Sequence, residues 1–164
     1  MKSYLIGVAL GISSLSASAA TWVFAGFPTN LEFVAYYDID SVLKKGSAVT
    51  VWTRLVYETP RKSGGSVVVI QTRYNCGNRT TDSLMLLQYD QSGNMINSSR
   101  AEFTGDPVIP STFGEGMYSV FCKAGFPETL DSDATSFADP DASSKKLFQS
   151  DYWRDLKMEK SKKR

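Results

Sequence analysis

The sequence predicts an α+β fold: a single antiparallel β-sheet of about six strands, with one C-terminal helix packed on it and tied to it by a disulfide. Three observations carry this expectation. Residues 47–58 alternate between apolar and polar side chains, the period-two pattern of a half-buried strand. Thr112 is followed three residues later by Glu115 at the head of an apolar stripe, which is the signature of a helix N-terminus. Cys76 and Cys122 are the only cysteines among 164 residues.

Taken in order, residues 21–25 form a short apolar strand and residues 33–38 a second. Residues 41–46 read as a polar turn broken by Gly46. In the strand over 47–58, Val49, Val51, Leu55 and Tyr57 point one way while Thr50, Trp52, Arg54 and Glu58 point the other. Residues 60–65 turn the chain through Pro60 and Gly64-Gly65. In the next strand, 66–76, the core face carries Val68, Ile70, Tyr74 and Cys76, and the outer face carries Gln71, Arg73 and Asn75. Strands over 80–90 and 95–103 follow, joined at Gln91-Ser92-Gly93-Asn94. Beyond Pro107 and Pro110 a helix is expected from Thr112 to about Cys122, laying Phe113, Met117, Val120 and Phe121 on one face of the sheet. Gly114 and Gly116 weaken it. An ideal helix turns Cys122 away from Phe113, so the last turn is expected to unwind, or the helix to be covered on two sides.

The N-terminus has the layout of a secretory signal. Lys2 precedes an apolar run over 4–12 and a small-residue stretch over 13–20, and Ala17-Ser18-Ala19 supplies the small-x-small cleavage pattern. The expected organisation is a signal peptide over 1–19, a domain over 20–123, and a disordered linker and basic tail over 124–164. The apolar run is shorter than the roughly 20 residues that span a bilayer, and no cysteine at the cut could carry a lipid. Export to the periplasm or outer cell surface follows, and in that oxidising setting Cys76 and Cys122 are expected to pair. Closing a loop between cysteines 46 positions apart contributes about 4 kcal/mol in the chain-entropy model.

Charge separates the core from the tail. Residues 21–123 balance acids and bases, which gives no bias toward nucleic acid. The segment 124–142 has acidic residues and no basic ones, whereas 143–164 is dominated by lysine and arginine. Residues 130–144, rich in Asp, Ser and Ala, read as a disordered linker. Asp131, Asp133, Asp139 and Asp141 lack the central glycine and terminal glutamate of a calcium loop. Phe148, Tyr152 and Leu156 recur every fourth residue beside Trp153, ahead of Lys157, Lys160 and Lys162. That pattern is either a solvated tail or a basic amphipathic helix able to contact the envelope.

Histidine is absent, which removes the usual general base, the Ser-His triad and the commonest zinc ligand. Asp38 and Asp40, at a strand end, read as turn formers and Glu115 as part of a cap. No enzyme activity, cofactor or metal is expected. Trp52, Arg54 and Arg73 are expected on the outer face of their strands, where exposed aromatic and arginine side chains could anchor a protein partner. A second layer, a dimer partner or the first strand could equally cover Trp52.

Several short segments, in order, carry a family resemblance. They are Trp22, Tyr36-Tyr37-Asp38-Ile39-Asp40-Ser41, Gly46, Val49-Thr50-Val51-Trp52, Tyr74-Asn75-Cys76, Tyr89-Asp90, Gly93, Ile109-Pro110-Ser111, Gly114-Glu115 and Phe121-Cys122. Together they resemble the surface-adhesin protein E family of Gram-negative bacteria. The resemblance implies an antiparallel sheet with a disulfide-tied helix and a binding role, adhesion to host matrix proteins by a homodimer. It ends at Lys123, and the family's lipid-attachment cysteine has no counterpart here. The function expected is thus an exported, non-catalytic, adhesin-like binding module for a protein partner. The alternative is a periplasmic structural or assembly component that docks through its basic tail.

Overall fold

The computed structural model describes residues 20–100, 105–123 and 136–162. The expected signal peptide, residues 124–135 of the linker, and the end of the strand predicted to reach Phe103 lie outside them. The described residues form an α+β fold around one antiparallel sheet of nine strands, with three α-helices. Six strands match the periodic segments: β1 (Trp22–Gly26), β2 (Phe33–Asp38), β4 (Ala48–Tyr57), β5 (Val67–Asn75), β6 (Thr80–Tyr89) and β7 (Met95–Arg100). The expected count of about six falls short by β3 (Leu43–Lys45), β8 (Asp106–Pro107) and β9 (Ser136–Phe137). Two or three residues are too few to display a period, so only pairing reveals these strands.

Neighbours across the sheet run β7-β6-β5-β4-β2-β1-β9, with β3 beside the first half of β4 and β8 beside the start of β6. The predicted polar turn over 41–46 therefore contains an edge strand, returned by Gly46 in the left-handed region at φ +60°. Between β3 and β2 the ladder along β4 is interrupted, and Ser41 Oγ fills the gap by accepting the Trp52 backbone N–H at 3.0 Å. A buried N–H without that acceptor would carry a desolvation cost. Asp38 caps the short 3-10 turn Ile39–Ser41 by accepting the Asp40 N–H, the turn-forming role expected of the pair.

The helix α1 (Phe113–Cys122) covers one face of the sheet. Met117, Tyr118 and Phe121 pack there on Val23, Tyr37, Val49, Val51 and Tyr74, while Phe113 reaches the neighbouring cluster of Ala35, Leu55 and Val68. The helix does not unwind before Cys122. Tyr118 and Cys122, one turn apart, lie along its flank, and Tyr118 Oη donates to the Cys76 carbonyl at 2.7 Å.

The opposite face is covered as well, by α2 (Pro140–Phe148) and α3 (Asp151–Lys162). Trp153 inserts among Leu31, Val34, Tyr36, Val56, Val67 and Val69, and Leu147, Phe148 and Leu156 pack around it. This corrects two expectations: the described residues hold three α-helices where a single helix was expected on the sheet, and the predicted disordered linker is ordered from 136 onward. Composition misled because the polar residues of this stretch have specific partners. Asp139 caps α2 by accepting the Ala142 N–H at 2.9 Å, and Pro140 occupies the first turn, where a missing N–H costs nothing.

Candidate functional site

Cys76, just past β5, and Cys122, at the end of α1, form the expected disulfide. The other end of α1 is fixed by its cap. Thr112 Oγ1 accepts the Glu115 N–H, and the Glu115 carboxylate accepts the Ser111 N–H and the Arg79 guanidinium. These bonds, from Ser111 first and Arg79 next, hold the Glu115 carboxyl below its ordinary range. Glu115 is thus a capping residue tied to the sheet.

Cross-strand pairing puts Trp52, Arg54 and Arg73 on one face, the face that carries α2 and α3. Arg73 lies opposite Thr50, and Trp52 is two residues along the same strand. Their surroundings differ. Arg54 forms a two-pronged pair with Asp141 of α2, Nε to Oδ1 at 2.8 Å and Nη2 to Oδ2, and its guanidinium lies 5.8 Å from the centre of the Trp22 ring. Trp52 is half-buried at the margin of the cluster filled by Trp153. Arg73 donates to Asp82 at 3.0 Å and stays partly open to solvent. Burial would raise the Asp82 carboxyl, but bonds from Asn75, Arg73 and the Gly105 N–H outweigh it and hold the group below its usual range.

Three further contacts fasten the tail. Tyr36 Oη and Ser144 Oγ share a buried hydrogen bond of 2.9 Å, and burial raises the Tyr36 phenol. Lys157 of α3 pairs with Glu58, and Lys160 donates to the Thr29 carbonyl. The apolar stripe predicted along the tail is therefore largely inside: Trp153 is buried, Phe148 and Leu156 are half-buried, and Tyr152 alone of the four is exposed.

Where α2 crosses the ends of β4, β5 and β6, the packing leaves a cavity of about 300 Å³. Val56, Val67, Tyr89 and Phe148 give it apolar walls, and Arg54, Glu58, Asp90, Asp141 and Lys145 surround them. Among the described residues no cluster of three or more Cys, Asp and Glu could hold a metal ion, and no helix is long and apolar enough to cross a membrane.

The sheet, the disulfide and α1 all lie within residues 22–123, the stretch matched by the family model described as surface-adhesin protein E. The chain belongs to the surface-adhesin protein E family. No curated protein and no solved structure matches it. The family match ends at Lys123, so α2 and α3, with their ion pairs and the cavity wall formed by Asp141, Lys145 and Phe148, are additions to the matched stretch. Asp141, Ser144 and Trp153 were not singled out in the sequence as contacts of the sheet, because their partners lie about a hundred residues away; the Tyr36–Ser144 separation is 108.

Proposed function

We propose that the chain is an exported, non-catalytic, adhesin-like module that binds a protein partner outside the cell. Membership of the surface-adhesin protein E family across 22–123 is the observation that carries this reading. The recognition surface is the part of the tail-side face that α2 and α3 leave open, with Trp52 and Arg73 as its anchors. Support comes from the register, which sets the two side chains diagonally on neighbouring strands, and from the partial exposure of both. Arg54, bound to Asp141, serves the tail instead. The partner favoured by the family is a host matrix protein. A homodimer would pair through β7, an edge strand whose six residues are all exposed. Because the tail's apolar stripe faces its own sheet, the alternative of an envelope component docking through that stripe has less to support it.

Protease accessibility and antibody labelling of intact cells, with a fractionation control, test the location. Binding to immobilised matrix proteins should fall at least about tenfold in Trp52→Ala. Confinement to the periplasm, or unchanged matrix binding in Trp52→Ala and Arg73→Ala, would overturn the proposal.

A further inference from the structure

We infer that the cavity between α2 and the ends of β4–β6 is a binding site for a small organic anion, an apolar body carrying one carboxylate. This site is independent of the partner-binding surface at Trp52 and Arg73.

Size sets the first limit. About 300 Å³ is at the lower end of the range for ligand pockets and holds a body of about a dozen heavy atoms. Chemistry of the walls sets the second, since Val56, Val67, Tyr89 and Phe148 favour an apolar or aromatic group. The polarity of the head group follows from which lining charges are already committed. Arg54 and Asp141 neutralise each other through two hydrogen bonds. Glu58 is held by Lys157. The Asp90 carboxylate accepts the Ser92 N–H at 2.8 Å, the Asn94 N–H at 2.9 Å and the Asn94 side-chain amide at 3.1 Å, all inside the β6–β7 turn. Those bonds hold its carboxyl below the ordinary range, the Asn94 backbone N–H contributing most. Lys145, exposed on α2, is the lining cation left over: its ammonium makes no hydrogen bond or ion pair among the described residues.

A cavity with apolar walls and one uncommitted ammonium selects a carboxylate with an apolar body. A cationic ligand would find the Glu58 and Asp141 charges met by Lys157 and Arg54, and the Asp90 carboxylate, though still charged, already accepting three bonds within its own turn. Because α2 supplies Asp141, Lys145 and Phe148, the site exists only while the tail is docked. It is thus a property of this chain beyond its family-matched stretch.

The test uses the full chain at low ionic strength, titrated with 4-phenylbutyrate, its neutral alcohol 4-phenylbutan-1-ol and its cationic amine 4-phenylbutylamine. Binding is read by calorimetry and by amide shifts in two-dimensional NMR. The acid should bind, shift the amides of Val56, Val67, Tyr89 and Phe148, and exceed the alcohol and the amine in affinity. Lys145→Ala should weaken the acid by about tenfold, as expected for one charge-assisted hydrogen bond. Lys146→Ala, on the adjacent exposed residue absent from the lining, should leave affinity unchanged. Equal binding of acid and amine, no loss in Lys145→Ala, or shifts mapping elsewhere would each overturn the assignment. So would the absence of binding by the acid while the NMR spectrum shows the tail docked.

Discussion

The two faces of the sheet are covered by different means. On one, α1 follows the sheet closely in sequence and is fastened by a covalent bond between Cys76 and Cys122, with Tyr118 bonding to the same corner. On the other, α2 and α3 arrive after the family-matched stretch has ended and are held without any cross-link, by Trp153, the Arg54–Asp141 pair, the Tyr36–Ser144 bond and Lys157 on Glu58. A disulfide acts chiefly by restricting the unfolded chain. A docked tail has to offset its own ordering entropy with burial. The two layers should therefore fail separately, the tail first.

The largest effect expected is that of Trp153→Ala. Removing a side chain that is 1% exposed should cost about 3–5 kcal/mol of the tail's docking. Limited trypsin digestion should then cut at Lys145 and Lys146 while the 20–123 region stays resistant. If the whole chain unfolds in one transition instead, the two layers form a single cooperative unit. Replacing Cys76 and Cys122 by serine should lower stability in urea by about 4 kcal/mol, with the cost falling on the α1 side.

Asp141→Asn should cost about 1–2 kcal/mol, because it breaks a charge-assisted pair that is only partly shielded from solvent. Added salt should narrow that difference, whereas salt should leave Trp153→Ala unchanged. Thr112→Ala removes the α1 cap and should cost about 1 kcal/mol, read as a shift in the urea midpoint.

The smallest effect concerns acid. The Asp82 carboxyl is held low in the folded state, so its stabilisation is fully present above the ordinary carboxylate pKa of about 4. It is lost as pH falls through the depressed folded value. The stability gap between the unmodified chain and Asp82→Asn should thus close as the solution is acidified below about pH 4. A gap that stays constant with pH would show that Asp82 acts through shape alone.

The part of the molecule fastened by the disulfide was the part legible beforehand. The alternation through β4 and β5 placed Val49, Val51, Val68 and Tyr74 correctly on the α1 side, and Thr112 with Glu115 marked where α1 begins. Composition points the wrong way for the stretch read as a disordered linker, which is ordered from 136 onward. A stretch rich in Asp and Ser resembles a linker unless its partners are known, and Asp139, Asp141 and Ser144 have theirs in a helix cap and on β4 and β2. Trp52, Arg54 and Arg73 did fall on one face, but nothing local indicated that Asp141 would engage Arg54 and leave the other two at the margin.

By itself, the sequence determined the strands long enough to show a period, the cysteine pair, the α1 cap and the family. Each of these is written in neighbouring residues or in a short ordered pattern. Only the tertiary structure decided that the second face is covered, that Arg54 belongs to the tail, and that a cavity with one uncommitted lysine lies beneath α2. Those outcomes depend on contacts between residues 87 and 108 positions apart, where burial and charge pairing act through space and leave no local pattern to read.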